Sequence, residues 1–168
     1  MRNGMSAMLD QLKNLASPSS LRSLWSYLRN VPGGGVILGR ILGRMAPYTG
    51  TIRPEVVELE PGRAVIRLRD RKAVRNHLNS IHAIALMNLG EVATGVAVMF
   101  SLPDGARGII TKLSMEYLKK ARGTLTAECV CPPISSTERK EYDVVADLKN
   151  TEGEVVARAS ARWMIGPR

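Results

Sequence analysis

One carboxylate, Glu91, lies in the middle of an apolar stretch from Asn76 to Gly95 that has the pattern of a buried helix. Burying a carboxylate without a partner costs several kcal/mol, so such an acid usually pairs with a cation or has a chemical role. Helical spacing places Asn88, Glu91 and Thr94 on one face. A carboxylate in this setting could activate water or attack a carbonyl carbon. The local pattern also fits an alternative in which Glu91 pairs with an arginine at a helix edge.

The start of the same helix, predicted near Ser80 to His82, offers a second chemical group. Backbone N–H groups without partners and the positive end of the helix dipole gather at a helix N-terminus, where they can stabilise an oxyanion. By axial rise, Glu91 lies roughly 13 Å from His82, too far for both to act on one atom within a subunit. Two such helices running antiparallel across a dimer would bring one N-terminus close to the other carboxylate. That arrangement suits hydrolysis of an activated acyl group.

The elements that must position these groups are predicted from the spacing of apolar residues along the chain. Three N-terminal helices are expected, over residues 5–15, 21–28 and 36–45, separated by Ser-Pro-Ser-Ser and Pro-Gly-Gly-Gly segments. After Pro47 the pattern becomes that of strands, with a hairpin joined by a Glu-Pro-Gly turn. The long helix, from Ser80 to about Val98, and four more strands follow. One buried helix against one antiparallel sheet is an α+β fold of two layers.

The chain is predicted to comprise an amphipathic helical extension, residues 1–34, and one main domain, residues 35–168. Arginines flank the apolar stripes of the N-terminal helices, which include Leu24 and Trp25. Such helices could make peripheral contact with a membrane surface. Packing on the domain or across a dimer is the favoured interpretation, since most helices with one apolar stripe cover a core.

Composition limits the classes of partner. A net charge of +9 favours an anionic partner, such as nucleic acid, an acidic membrane surface or a polyphosphate group. Only 4% of the residues are aromatic, so a nucleic-acid binder that stacks bases on aromatic rings is not expected. The two histidines and two cysteines show no metal-ligand spacing, and no metal site is expected. No signal peptide and no run of about 18 apolar residues is recognised, which predicts a cytoplasmic protein.

Asn76, His82 and Glu91 are separated by six and nine residues. This spacing resembles that of the hotdog-fold acyl-CoA thioesterases, especially the PaaI-like branch of phenylacetate degradation, in which an Asn precedes a His-Gly-Gly and an Asp or Glu follows. Gly95 falls where that family often has a small residue. The segment GIITKLSMEYLKKARGTLTAEC is similar to the family's strand after the helix. The resemblance covers about Pro47 to Ile165.

The resemblance implies an α+β hotdog fold, in which an antiparallel β-sheet wraps around one long central helix, and a homodimer or tetramer. It implies hydrolysis of an acyl-CoA thioester with no cofactor, coenzyme A being part of the substrate. Glu91 is implied as the nucleophile or general base, and the Ala83 backbone N–H as the oxyanion donor. Asn76 and His82 would shape or polarise the thioester pocket, and Thr94 would orient the acid or a water molecule.

Two departures from the family pattern affect the predicted pocket. The glycine pair after the histidine is Ala83-Ile84, which keeps both amides and adds side chains, and Asn79 replaces a glycine common before the histidine. Either change could narrow the acyl pocket. Basic residues at the pocket mouth are expected to bind the coenzyme A phosphates, with Arg75 as the first choice. The residues predicted to contact the substrate are Arg75, Asn79, Ile84, Asn88, Thr94, Lys119, Lys120 and Arg122.

Three alternatives to a thioesterase follow from the same sequence. Ala83-Ile84 in place of two glycines favours a non-catalytic hotdog domain that binds acyl-CoA or a lipid. The N-terminal helices favour a membrane-surface protein. A dehydratase on the same fold fits less well, because the acid and the histidine follow the thioesterase spacing.

Overall fold

The computed structural model describes residues 17–168, and the helix predicted over residues 5–15 lies outside the described residues. Within this range the α-helices are α1 (Pro18–Leu28), α2 (Gly34–Met45), α3 (Pro47–Gly50) and α4 (Ala83–Ser101). The strands are β1 (Glu55–Glu60), β2 (Arg63–Leu68), β3 (Ala106–Tyr117), β4 (Leu125–Val130), β5 (Lys140–Lys149) and β6 (Val155–Pro167). A short 3-10 helix, Lys72–Val74, precedes α4. The order follows the prediction except at α3, where the segment expected to be extended forms a helical turn opened by a proline.

The six strands form one antiparallel sheet in the order β1-β2-β4-β5-β6-β3. Buried apolar residues from the sheet and from α4 make one continuous core. The 12-residue strand β3 pairs only with β6 in the described chain, so its other side is an open edge. The predicted α+β class, with one long helix packed on an antiparallel sheet, is confirmed.

α4, predicted to begin at about Ser80, starts at Ala83. Tertiary pairing keeps the preceding residues extended, because the Ile81 N–H donates to the Ala121 carbonyl oxygen at 2.8 Å. Ile81 also forms an antiparallel bridge with Arg75, and the His82 N–H donates to the Val74 carbonyl oxygen at 2.8 Å, so both residues belong to an extended segment. The helix therefore starts where the long-range pairing ends.

α4 also departs from the expectation that no segment is long enough to cross a membrane. Among the described residues it alone is long and apolar enough to span a bilayer. Most of it is buried inside the fold, as in the core helix of a globular domain.

Gly90 lets α4 approach the sheet closely. The Cβ that this residue lacks would lie 2.4 Å from Ala159 Cβ on β6.

α1 covers one end of α4 with its apolar stripe. Leu21, Trp25 and Leu28 are buried in the core, and the Trp25 indole N–H donates to the Leu59 carbonyl oxygen at 2.8 Å. Arg22 donates to two carbonyl oxygens at the C-terminal end of α4, where a cation is favoured by the helix dipole. The ring and the N–H of Trp25 are thus both used inside the fold, while peripheral membrane contact by the N-terminal helices stays a prediction.

α2 packs against the chain that leads into β1 through glycines on one face. The Cβ atoms that Gly35 and Gly39 lack would lie 1.9 and 1.8 Å from the carbonyl oxygens of Val56 and Pro54. A side chain at either position would therefore overlap with backbone atoms. These glycines set the separation between α2 and β1.

Gly39→Ala is expected to lower the free energy of unfolding by about 1–3 kcal/mol, the usual cost of adding a group to a site that is already full. The new methyl group would meet the Pro54 carbonyl oxygen, a backbone atom, so α2 would have to move. Urea denaturation followed by circular dichroism measures the change. Gly166→Ala is the matched control, because no heavy atom lies within 4 Å of its Cβ position. Equal unfolding free energies for the two variants would contradict this packing.

Candidate active site

In the first three turns of α4, one face remains accessible to solvent at Ile84, Met87 and Glu91, which we call the open face. Asn88 lies beside it and is buried, with 6% of its surface exposed. Its Nδ2 donates to the Tyr48 carbonyl oxygen at 3.0 Å, which ties α4 to α3. Asn88 and Glu91 therefore lie close together, as predicted from their spacing, but the Asn88 amide already serves as a link between helices.

The Glu91 carboxylate is half-buried and has no hydrogen-bond or ion-pair partner between residues 17 and 168. The alternative in which an arginine pairs with Glu91 is therefore not observed in that part of the chain. The Cβ position of Gly95 lies 3.8 Å from Glu91 Oε1 and 3.2 Å from ring carbons of Trp163, so the carboxylate stands near an aromatic wall. Burial raises the pKa of Glu91, because the charged form loses hydration. An acid with a raised pKa and no structural partner is suited to proton transfer or nucleophilic attack.

Thr94 lies one turn after Glu91 and is fully buried. Its Oγ1 donates to the backbone carbonyl oxygen of Glu91 at 3.0 Å, a hydrogen bond within the helix. The hydroxyl is thus used in the packing of α4. Two roles were predicted for Thr94, orientation of the carboxylate and contact with a substrate. Its buried position supports neither of them.

Trp163 is the neighbour of Glu91 that the sequence reasoning did not identify. It is 6% exposed, and its indole N–H has no partner among the described residues. The alternation along β6 that places Ala157, Ala159 and Ala161 on the buried face also places Trp163 there. Extending that pattern by one step would have identified it.

The N-terminus of α4 presents a free amide. His82 is the N-cap, and its Nδ1 accepts a hydrogen bond from the Ile84 N–H at 3.1 Å. Because Nδ1 is the acceptor, the neutral imidazole carries its proton on Nε2, which leaves an N–H donor on an exposed side chain. The Ala83 N–H donates no hydrogen bond within residues 17–168, while the Tyr117 hydroxyl holds the Ala83 carbonyl oxygen at 3.3 Å. The amide predicted as oxyanion donor is therefore available.

Asn76 and Asn79 shape the loop before α4. The Oδ1 of Asn76 accepts hydrogen bonds from the N–H groups of Leu78 and Ser80 at 2.9 and 3.1 Å, so this oxygen is used inside the loop. Asn79 has a φ of 54°, the left-handed conformation that glycine adopts freely and that asparagine tolerates well. Asn79 therefore preserves the backbone conformation available to the glycine that it replaces.

Ala83 and Glu91 do not converge within one protomer. Eight residues of helix separate them, which is about 12 Å of axial rise. Ile84 stands between them on the open face, with 49% of its surface exposed. A site that uses both groups needs a second protomer.

Two of the cations predicted to bind coenzyme A phosphates form ion pairs. Arg75 binds Asp70 through two hydrogen bonds, at 2.7 and 3.0 Å, and this bonding lowers the pKa of Asp70. The Lys119 ammonium binds Glu154 at 2.7 Å. Arg75, the first choice from the sequence, is thus already paired with a carboxylate.

The other two predicted cations, Lys120 and Arg122, are exposed. The Gly123 N–H donates to the same Asp70 carboxylate that binds Arg75, at 3.0 Å. The structure therefore brings Arg75 and the segment of Lys120 and Arg122 together beside the loop that leads into α4.

Comparisons with known proteins agree with this architecture. A family model described as a domain of unknown function, DUF4442, matches residues 34–165. No curated protein matches the chain.

Several solved structures are similar. A structural-genomics protein whose description states no activity is 29% identical, over 88% of this chain and 97% of its own, with a TM-score of 0.74. A Pseudomonas aeruginosa protein of unknown function, suggested by its name to be a thioesterase, is 22% identical over 79% of this chain and 95% of its own, with a TM-score of 0.71. A phenylacetic acid degradation-related protein from Ralstonia eutropha JMP134, provisionally named a thioesterase, is 21% identical over 71% and 89%, with a TM-score of 0.62. These similarities confirm the predicted hotdog fold.

Proposed function

This chain belongs to the DUF4442 family, and on that premise we propose that it hydrolyses an acyl-CoA thioester to a free acid and coenzyme A. Thioesterase is the name given to several proteins that share the fold. The observation that carries the proposal is Glu91, a half-buried carboxylate with a raised pKa and no partner among the described residues. An acid held in this way, on the open face of the central helix, is available for chemistry.

As a general base, Glu91 would accept a proton from a water molecule while the water oxygen bonds to the thioester carbonyl carbon. Collapse of the tetrahedral intermediate breaks the C–S bond, and the proton on Glu91 passes to the departing sulfur of coenzyme A. As a nucleophile, Glu91 would instead displace the thiolate and form a mixed anhydride, which water then hydrolyses. Both routes give the same products, and both need Glu91 in its ionised form.

The Ala83 N–H would stabilise the oxyanion of that intermediate, because it donates no hydrogen bond within residues 17–168 and lies at the positive end of the helix dipole. The exposed Nε2–H of His82 would polarise the same carbonyl. Since about 12 Å of helix separates Ala83 from Glu91 in one chain, the two groups of a site would come from different protomers. The open edge of β3 supports a homodimer, because an unpaired strand is a template for pairing with another chain. A tetramer would consist of two such dimers.

A thiol-release assay over short, long and aromatic acyl-CoAs tests the proposal. Purified protein is expected to release free coenzyme A from at least one class, detected with a thiol-reactive dye. The same assay is used for the variant Glu91→Gln. Glu138→Gln is its matched control, because it also removes one carboxylate, at an exposed position far along the chain from α4. Turnover of this control should equal that of the unmodified protein. Absence of thiol release from all three classes would contradict hydrolysis of acyl-CoA.

A non-catalytic acyl-CoA binder is the second candidate. Two features favour it. Ala83 and Ile84 stand where the thioesterase pattern that this sequence resembles has two glycines, and Glu91 has no hydrogen-bond donor among the described residues to favour its ionised form. Tight binding of acyl-CoA without release of thiol would select this candidate.

A further inference from the structure

A groove of about 590 Å³ lies between α2 and the chain that enters β1. It is lined by Arg40, Arg44, Arg53, Arg69 and one carboxylate, Glu55, and we call it the arginine groove. Its volume falls in the range of small-molecule sites. It is distinct from the open face of α4 and from the cations beside the loop before that helix.

The charges of the arginine groove are not balanced within the described chain. Glu55 is shared by Arg69, at 3.0 Å, and by Arg67, at 3.3 Å. Arg40, Arg44 and Arg53 form no ion pair with any residue from 17 to 168. The groove therefore holds an excess of positive charge that a bound anion would neutralise.

Arg53 is held in the groove at a conformational cost. Its φ of 52° lies in the left-handed region, where a residue other than glycine is strained. The pKa of the nearby Arg71 guanidinium is lowered, first by burial and second by the positive charge of Arg53. Arg53 and Arg71 therefore add to the positive charge beside the groove, which a bound anion would neutralise.

The arginines supply the hydrogen-bond donors of the groove, and they project from α2, from the entry to β1 and from the end of β2. The glycines of the lining, Gly39, Gly43 and Gly50, pack against neighbouring backbone. A guanidinium is planar and donates two parallel hydrogen bonds to a carboxylate or a phosphate. A cluster of several arginines suits an anion with more than one charge and several acceptor oxygens, as a phosphate group has.

We propose that the arginine groove binds the phosphate groups of a soluble nucleotide-type ligand. The identification of this ligand as the 3′-phospho-ADP part of coenzyme A rests on the proposed function. The sequence pointed instead to Arg75, Lys119, Lys120 and Arg122, of which Arg75 and Lys119 are paired with carboxylates. The arginine groove offers guanidinium groups without such partners in the described chain.

The groove is connected to the candidate active site through α3. Gly50 lines the groove, and Tyr48 of the same four-residue helix accepts the hydrogen bond from Asn88 on α4. Asn88 is one helical turn from Glu91. A ligand with its phosphates in the groove would therefore need an extended arm to place a thioester beside Glu91, and coenzyme A has such an arm in its pantetheine.

Calorimetric titration with adenosine 3′,5′-bisphosphate and with pyrophosphate tests the assignment directly. The double variant Arg40→Ala/Arg44→Ala is expected to bind both probes at least about tenfold more weakly, the usual loss for charge-assisted hydrogen bonds. Arg139→Ala is the matched control, because Arg139 is an exposed arginine outside the groove, and it should bind like the unmodified protein. Equal dissociation constants for all three proteins would overturn the assignment.

Folding of the double variant is checked by circular dichroism. Both arginines are exposed on α2, where alanine is a strong helix former, so the fold should persist. The variant Arg40→Gln/Arg44→Gln, which keeps polar side chains and removes their charge, repeats the titration if the alanine variant is unfolded. Retained binding by the folded glutamine variant would also overturn the assignment.

Two further measurements separate the possible sources of phosphate and the two proposals. In the first, the protein is co-sedimented with phosphatidylglycerol vesicles. If it binds the vesicles through Arg40 and Arg44 and binds neither soluble probe, the proposal of a soluble ligand is overturned in favour of a lipid headgroup. Arginine-dependent binding of the bisphosphate in a protein that hydrolyses no acyl-CoA would support the groove and contradict the proposed function. Hydrolysis of acyl-CoA with arginine-independent binding of the bisphosphate would contradict the groove alone.

Discussion

Glu91→Gln is expected to lower kcat for acyl-CoA hydrolysis at least about 100-fold, which is the lower range that one general base supplies. Glutamine has nearly the same shape as glutamate, so the packing of α4 should persist while the ionisable group is lost. The thiol-release assay measures the rate, and circular dichroism checks the fold. Turnover at the level of the unmodified protein would remove Glu91 from the mechanism.

The same substitution is expected to raise the melting temperature at pH 7. Burial raises the pKa of Glu91, so the folded state binds this proton more tightly than the unfolded state does. Protonated Glu91 contributes its full stability at a pH below the pKa that Glu91 has in the unfolded chain. This contribution is lost as the pH rises through the higher pKa that Glu91 has in the folded protein. Glutamine does not titrate, so its advantage should appear at neutral pH and shrink in acid. Activity of the unmodified protein should rise over the pH range in which Glu91 ionises.

If Glu91→Gln and the unmodified protein have equal melting temperatures at pH 7 and at every lower pH, the proposed burial of the charge is contradicted. Glu138→Gln controls for the change in net charge, because Glu138 is exposed. It should show neither the loss of turnover nor the gain in thermal stability.

Ala83→Pro is expected to lower kcat roughly 100- to 1,000-fold, the loss found when one oxyanion donor is removed. Proline lacks the N–H group but is favoured at the first position of a helix, where that N–H has no partner within the helix. The preceding residue, His82, has φ −63° and ψ 140°, the extended conformation that proline requires before it. The variant should therefore fold, as circular dichroism can verify, and lose only the amide. Ala83→Ser keeps the N–H and should lose far less activity.

Mixing the Ala83→Pro and Glu91→Gln chains shows whether a site is shared between protomers. In a mixed dimer, the intact Ala83 amide of one chain would face the intact Glu91 of the other, which restores one complete site. Mixed dimers formed by co-expression are therefore expected to be much more active than either parent. If activity stays at the level of the parents in verified mixed dimers, the two groups act within one chain or do not act together.

The order of the main elements and the candidate acid could be predicted from the sequence, because both depend on local patterns. Strands show alternation of apolar residues and helices show a period near 3.6, and each signal lies within one segment. Glu91 was recognisable because a lone carboxylate in an apolar helix is unusual, and because Asn76 and His82 precede it at a spacing that resembles that of a family. The open amide at Ala83 follows from its place at the start of that helix.

What several of these side chains do was decided only by contacts that no apolar or polar pattern in the sequence shows. Trp25 belongs to the core because Leu59 accepts its N–H. Arg75 is engaged because Asp70 folds back onto it, and α4 starts at Ala83 because Ile81 pairs with Ala121.

By itself, the sequence determined the α+β class, the central helix and its isolated acid, since hydrophobic periodicity acts over neighbouring residues. The tertiary structure decided which cations are free and where they gather. Glycines on α2 allow that helix to lie against the entry to β1, and Arg40, Arg44 and Arg53 then line one groove without ion-pair partners in the described part of the chain. Such a cluster depends on the close approach of two backbone segments, and no local pattern of charges in the sequence encodes that distance.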